Sequence, residues 1–165
     1  EAIGNAVEAL HAARSIVLCG LGASASVALD AQHKLLRFPR PVMAHTDIIN
    51  QRMLAAGLTP EDCLLCISYT GRTTAIVELA QLGHSTGARV IGLTAPDSPL
   101  AAACDLVLAV SSGEDTDLYT PMTSRIAQLV IVDILATCLA LKQGDEFADH
   151  LREIKRNLGR TRSSG

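Results

Sequence analysis

The sequence predicts an α/β fold: a doubly wound five-stranded parallel sheet flanked by helices, with flavodoxin-like connectivity. Three observations predict it. Short apolar runs alternate along the chain with longer segments of helical spacing, the pattern of a parallel sheet covered on both faces. Polar, glycine-bearing turns follow two of these runs directly, at the strand ends where such sheets bind ligands. The chain has 165 residues, 48% hydrophobic and 19% charged, which is the size and make-up of one folded domain and not of a disordered chain. One domain over residues 1–158 with a flexible tail at 159–165 is the simplest organisation, since no repeat, linker or low-complexity segment interrupts it.

Residues 3–13 carry Ile3, Val7 and Leu10 at helical spacing, and Ser15 to Cys19 is an apolar run ending at Gly20-Leu21-Gly22. A helix over 24–37 follows, with Ala25, Ala28, Leu29, Leu35 and Leu36 on its apolar side and Pro39 and Pro41 to stop it. Val42 to Ala44 is a brief strand leading into His45-Thr46-Asp47, and 48–57 reads as a helix with Gly57 at its C-cap. The alternation then repeats: a strand at Cys63–Ser68, a turn at Tyr69–Thr73, a helix from Thr74 to His84 ending near Gly87. Next come a strand at Arg89–Thr94, a short helix at Pro96–Ala103 and a fifth strand at Leu106–Val110. A polar loop over 111–121, a long helix over 122–142 and an amphipathic helix over 145–158 complete the chain. Right-handed crossovers turn this order into a doubly wound sheet.

Composition excludes several functions. The net charge is −3, aromatics are 2% and Trp is absent. Nucleic-acid readers carry a basic excess, and single-strand binders need stacking surfaces. The five cysteines, Cys19, Cys63, Cys66, Cys104 and Cys138, are an odd number inside apolar runs. Cys63 and Cys66 are three apart on a strand, so they point to opposite faces and make no shared metal or redox site. These read as buried thiols of a reducing, cytoplasmic compartment. Residue 1 opens an amphipathic segment, not a signal peptide. The most apolar stretch, Ile126 to Leu141, is broken by Gln128 and Asp133 and is shorter than a spanning helix. No membrane, metal or cofactor is expected.

The strand-end rule points to four loops: 20–26, 45–48, 68–73 and 111–124. The sharpest is Ser68-Tyr69-Thr70-Gly71-Arg72-Thr73, between a strand and its helix. A helix N-terminus already favours an anion, and three hydroxyls at one turn exceed the single one that a cap needs. This reads as a phosphate cradle without the lysine of a P-loop. Gly20-Leu21-Gly22-Ala23-Ser24 is the second loop. A dinucleotide site would want a further glycine where Ala25 stands, and only Asp47 is available as a ribose ligand, so Ser24 reads instead as a hydroxyl at a helix start facing the same crevice. In the last loop Glu114, Asp115 and Asp117 lack the spacing of a metal site and read as solvated, while Ser124 and Arg125 open the long helix. His45 ends the second strand and is the one histidine aimed near the crevice. His33, His84, His11 and His150 read as non-site residues.

SYTGRT at 68–73 resembles the Ser-x-Ser-Gly-x-Thr phosphate loop of the sugar isomerase (SIS) domain. GLGAS at 20–24 resembles that domain's first loop, and TPMTSRIAQLVIVDIL at 120–135 its late helix. The resemblance runs over about residues 3–157 and is strongest to RpiR-family transcriptional regulators. It implies a phosphosugar-binding domain with Ser24, Ser68, Thr70, Gly71, Thr73 and Ser124 at its ligand; Gly22, Tyr69 and Arg72 of the same loops complete the expected ligand-binding set. It also implies a helix-turn-helix domain, absent from this chain, through which alone DNA would be bound. Within the family the chain is most similar to repressors of hexose catabolism, whose effector is 2-keto-3-deoxy-6-phosphogluconate. Isomerases of this fold have a Lys and a Glu where this chain has Ala23 and Arg72, and an arginine is no base for proton abstraction. The exchange suits a sensor binding a ligand with a second anion, for which Arg72 and Arg125 are the nearest cations. The alternatives are an aldose–ketose isomerase, with Glu114, Asp115, Asp117 or His45 as base, and a structural subunit with a vestigial site. The long helix is apolar on more than one face (Ile126, Leu129, Val130, Ile131, Ile134, Leu135, Cys138, Leu139), which suits a homodimer or higher assembly. The basic residues Arg152, Lys155, Arg156, Arg160 and Arg162 read as a solvated face.

Overall fold

The structure, a computed structural model, describes residues 1–111 and 122–159. Its elements run α1 (Ala2–Ala12), β1 (Ile16–Gly20), α2 (Ala23–Leu35), β2 (Val42–His45), α3 (Ile48–Ala56), β3 (Cys63–Ser68), α4 (Thr74–Ser85), β4 (Arg89–Thr94), α5 (Pro99–Ala102), β5 (Leu106–Ala109), α6 (Thr123–Lys142) and α7 (Asp145–Gly159). All five strands are parallel, in the order β2-β1-β3-β4-β5. The expected fold class is the observed one. Residues 160–165 of the expected tail, and the acidic residues Glu114, Asp115 and Asp117, lie outside the described residues.

The central strands β1 and β3 are buried along their whole length, as an unbroken apolar run requires when helices cover both faces. One face packs Val7 and Leu10 of α1, Val27 and Ala31 of α2, and Val132, Leu135 and Leu139 of α6. The other packs Ala55 of α3, Ile76 and Leu79 of α4, and Leu100 of α5. Cys63 belongs to the first layer and Cys66 to the second, on opposite faces as their spacing demands. All five cysteines are free thiols. Burial pushes the Cys19 and Cys63 thiols up to about 12, so they stay protonated and unreactive at neutral pH. The chain's two phenylalanines, Phe38 and Phe147, stack at a centroid distance of 4.7 Å and fasten α7 to the body.

Two elements differ from expectation. The short helix starts at Pro99, not Pro96, because Asp97 sits at φ +57° and interrupts any helix there. Ser98 then caps it, accepting from the Ala101 N–H at 3.2 Å, with Pro99 in the first helical position where its missing N–H costs nothing. Helix α6 has 20 residues, three more at its start than the apolar stretch alone, and by length and composition it reaches the measure of a bilayer-spanning helix. A core helix passes the same test, and the inner face of α6 is packed on the sheet.

At the amino edge of the sheet, Asp62 ties the starts of β1 and β3 together. It is 2% exposed. Arg14 donates to both its oxygens (3.2 and 2.8 Å), Ser15 donates at 2.7 Å, and Thr59 donates through its N–H (2.9 Å) and its hydroxyl (2.7 Å). Burial alone would raise this carboxyl, but the bonds from Arg14, Ser15 and Thr59 outweigh it and hold it well below the usual carboxylate range. A depressed folded-state value means that the stabilisation is full above the unfolded value near pH 4 and is lost as pH falls through the folded one. Asp62→Ala should cost about 3 kcal/mol at pH 7 in denaturant titration. The gap between wild type and variant should close progressively as the titration is repeated from pH 4 downwards.

Candidate ligand-binding site

The strand order places a topological switch point between β1 and β3. From β1 the chain turns outward to β2 through α2, and all later strands build in the other direction. Loops leaving neighbouring strands toward opposite faces open a crevice there. A cavity of about 140 Å³ occupies it, lined by Leu21, Ala23 and Ser24 after β1, by Ser68, Tyr69, Thr70 and Thr73 after β3, and by Ser124, Arg125 and Gln128 at the start of α6. Three of the four expected loops therefore contribute. The loop at 45–48 does not, because β2 is the edge strand beyond β1. His45 is exposed and outside the lining, with only its carbonyl engaged, accepting from Gln51 Nε2 at 2.6 Å. Asp47 is spent as the cap of α3, accepting from the Asn50 N–H at 3.0 Å.

Helix ends decide the electrostatics. Helices α3 and α5, away from the cavity, are each capped by their own side chain, Asp47 and Ser98. The three that start at the cavity are not: Gly22 stands at the N-cap of α2, and Thr73 and Met122 make no side-chain cap hydrogen bond to α4 and α6. None of the three has an acidic residue in its first turn. Each N-terminus carries roughly half a positive charge, so three of them direct positive potential toward one cavity, with no acidic first-turn residue among the described residues. The hydroxyls follow the same logic. Thr73 Oγ1 is turned away from its own helix and lies 3.3 Å from Ser68 Oγ. Ser24 is the second residue of α2 and caps nothing. Ser124 is fully buried at the matching place in α6.

The turn at 68–73 is braced from behind. Tyr69 accepts at its carbonyl from the Ala95 N–H (2.8 Å), and Gly71 from the Leu100 N–H (3.0 Å). Gly71 sits at φ +63°, and a Cβ there would meet Ser98 Oγ at 2.1 Å and Thr94 Oγ1 at 2.5 Å. Its glycine is thus required by the protein wall behind the turn. Gly71, Gly22 and Arg72 are the expected site residues that do not line the cavity; Arg72 is exposed, its N–H donating to Thr70 Oγ1 at 3.3 Å. On the β1 side, a Cβ on Gly20 would lie 2.6 Å from the Ser24 carbonyl, so only glycine lets α2 start this close to the strand. Three lining residues were not expected at the site, Leu21, Ala23 and Gln128, while Arg125, named from the sequence as a candidate cation, does line it. Gln128 follows Ser124 by four, which puts both on one helix face and was the available signal. Leu21 and Ala23 are apolar and give none.

A larger cavity, about 510 Å³, opens at the amino edge of the sheet. Its wall includes Glu8, Glu61 and Asp62, the wrong sign for an anion, and Asp62 is committed to Arg14.

The family model of the SIS domain matches residues 9–138, most of the chain. The chain belongs to the SIS domain family. This SIS domain is 53% identical over 160 residues to the HTH-type transcriptional regulator HexR of Pseudomonas aeruginosa, covering 97% of this chain and 56% of that protein. It is 45% identical over 162 residues to HexR of Escherichia coli, covering 98% and 56%. The chain spans little more than half the length of these curated relatives. In fold it is similar to the solved structure of Vibrio vulnificus NanR complexed with ManNAc-6P, with a TM-score of 0.90 at 23% identity over 99% of this chain and 62% of that one.

Gly71→Ala in this SIS domain should destabilise it by about 2 kcal/mol or more, from the left-handed conformation together with the Ser98 contact. Denaturant titration checks the value, and an unaffected midpoint would show that the turn has room the geometry denies it.

Proposed function

We propose that this chain is the effector-sensing part of a transcriptional repressor of hexose catabolism. Its effector is a phosphorylated sugar acid, 2-keto-3-deoxy-6-phosphogluconate. The SIS unit spans residues 1–158. The phosphate sits in the 68–73 turn and takes hydrogen bonds from Ser24, Ser68, Thr70, Thr73 and Ser124, with Gly22, Tyr69, Gly71 and Arg72 shaping the loops around it. The observation that carries this reading is the joining of hydroxyls and three helix N-termini without acidic first turns around one small cavity. The relatives named as HTH-type regulators extend well beyond the matched stretch, which supports DNA binding by a helix-turn-helix domain outside this chain. Effector binding then changes how that domain is held on DNA.

The reading is of a sensor and not of an isomerase. Proton abstraction beside a carbonyl needs a positioned base; of the candidates named from the sequence, His45 is outside the cavity lining and Glu114, Asp115 and Asp117 lie outside the described residues, so this reading rests on Arg72 and Ala23 standing where isomerases of this fold have Glu and Lys. The protein works in the cytoplasm, in keeping with its free thiols, needs no cofactor, metal or membrane, and acts as a homodimer or higher assembly. Support for self-association comes from α6. Met122 (63% exposed), Ile126 (59%), Val130 (50%) and Ile134 (39%) recur every four residues along its outer face, a long apolar stripe of the kind that marks an interface.

Calorimetric titration with 2-keto-3-deoxy-6-phosphogluconate should show binding by the wild type. Ser24→Ala and Ser68→Ala should each weaken it about tenfold, the value of one charge-assisted hydrogen bond, and leave the ligand-free melting temperature within a few degrees. Unchanged affinity in both removes the serines from the site, and turnover of an aldose phosphate seen by NMR replaces the sensor by the isomerase. Sedimentation of the double variant Ile126→Glu, Val130→Glu should give a folded monomer where the wild type gives a dimer or larger species; an identical profile places the interface elsewhere.

A further inference from the structure

Arg125 is the only charged residue among the described residues that line the cavity. It is the third residue of α6, whose N-cap is Met122. That end of a helix carries the positive pole, where a cation is disfavoured and an acid is stabilising. The first turn of α6 supplies no acid to offset it, and among the described residues Arg125 has no ion pair or side-chain hydrogen-bond partner. Its neighbours across the cavity are hydroxyls, an amide and apolar groups, and the N-termini of α2 and α4 add positive potential from the other walls. An arginine at this exposed first-turn position is mildly unfavourable for the helix itself, and an anion in the cavity would offset that.

The phosphate does not need it. The hydroxyls of Ser24, Ser68, Thr70, Thr73 and Ser124 offer it donors already, and Arg125, next to Ser124 on α6, adds the one cationic fork in the lining among the described residues. Arg72, the other cation near the crevice, is exposed like Arg125 but lies outside the lining. A guanidinium presents a planar fork of donors that matches a carboxylate by two parallel hydrogen bonds.

We propose that Arg125 is the specificity-determining residue of the site: it binds the carboxylate at the far end of the effector, and so selects phosphorylated sugar acids over phosphorylated sugars and alditols of the same length. This rests on the sugar-phosphate reading above. A phosphorylated sugar or alditol puts a neutral hydroxymethyl where the acid has its carboxylate, so the guanidinium loses its paired hydrogen bonds there and the discrimination comes from that loss.

The test uses two probes that differ only at the first carbon, 6-phosphogluconate with a carboxylate and sorbitol 6-phosphate with a hydroxymethyl, together with inorganic phosphate. The wild type should bind 6-phosphogluconate about tenfold to a hundredfold more tightly than sorbitol 6-phosphate. Arg125→Met keeps the length of the side chain without its charge. It should bring that ratio close to one, and binding of sorbitol 6-phosphate and inorganic phosphate should stay the same or tighten. Arg125→Lys should restore part of the ratio, since a point charge without the fork keeps attraction but loses the paired geometry. An undiminished ratio in Arg125→Met overturns the assignment, as does its collapse in Arg72→Met instead. Equal weakening of all three probes in Arg125→Met also overturns it, because the residue would then be holding the phosphate. Failure of the wild type to bind any of the three would overturn the sugar-phosphate reading itself, and this inference with it.

Discussion

Three helix N-termini meeting at the carboxyl ends of β1 and β3 are the constraint on which the rest of the molecule depends. Peptide dipoles at a helix start need a partner: a capping side chain, water, an acid or a ligand. In α3 and α5 the sequence supplies one, Asp47 and Ser98. At α2, α4 and α6 the N-cap residue makes no side-chain cap hydrogen bond and the first turn holds no acid. Positive potential is thereby concentrated where the strand order already forces a crevice. Topology chooses the place, and the withheld caps choose the sign of what can bind.

Such a site has to be held rigid without spending its own donors. The turn at 68–73 meets this from its back. Its carbonyls at Tyr69 and Gly71 accept from Ala95 and Leu100 of the neighbouring crossover, and the wall of Thr94 and Ser98 stands where any side chain on residue 71 would be. Gln51, fully buried on α3, does similar service on the other side, its amide donating to the carbonyls of Gly20 and His45 at the ends of β1 and β2. The stabilising charge chemistry lies at the opposite edge of the sheet, where Asp62 gathers Arg14, Ser15 and Thr59. Acid at the amino edge and positive potential at the carboxyl edge keep the stabilising ion pair away from the binding charge.

Much of this was legible in the sequence, for reasons that particular residues make plain. Cys63 to Cys66 could be assigned to opposite faces because a strand has a strict period of two. The turn after β3 could be assigned because three hydroxyls in six residues exceed what a cap requires. Other features were not legible, because they depend on contacts between distant residues. Nothing near position 71 announces that Thr94 and Ser98 stand behind it. The late start of α5 depends on the backbone of Asp97, which no local propensity specifies. Leu21 and Ala23 line the cavity only because Gly20 lets α2 approach the strand, and an apolar side chain in a binding wall looks the same as one in a core. His45 went the other way: it had the right chemistry at a strand end, but on an edge strand one position too far from the switch point.

Helix α6 joins these considerations. Successive residues turn by about 100° around a helix, so residues two apart face nearly opposite directions. Ser124 and Gln128 line the cavity, while Ile126 and Val130, each two residues further on, are exposed on the outer stripe. The same spacing that makes the inner face a wall of the site makes the outer face an apolar surface along the length of the helix. Lys34 fastens this helix to α2, bonding Asp30 on its own helix and Asp133 on α6, both at 2.5 Å, and α2 begins at the cavity as well. A packed helix of this length moves as a rigid body and its two faces cannot be displaced separately. A displacement of Ser124 or Arg125 with the helix would therefore carry Ile126 with it. Residue spacing alone thus gives one helix both a face that lines the cavity and an exposed apolar face.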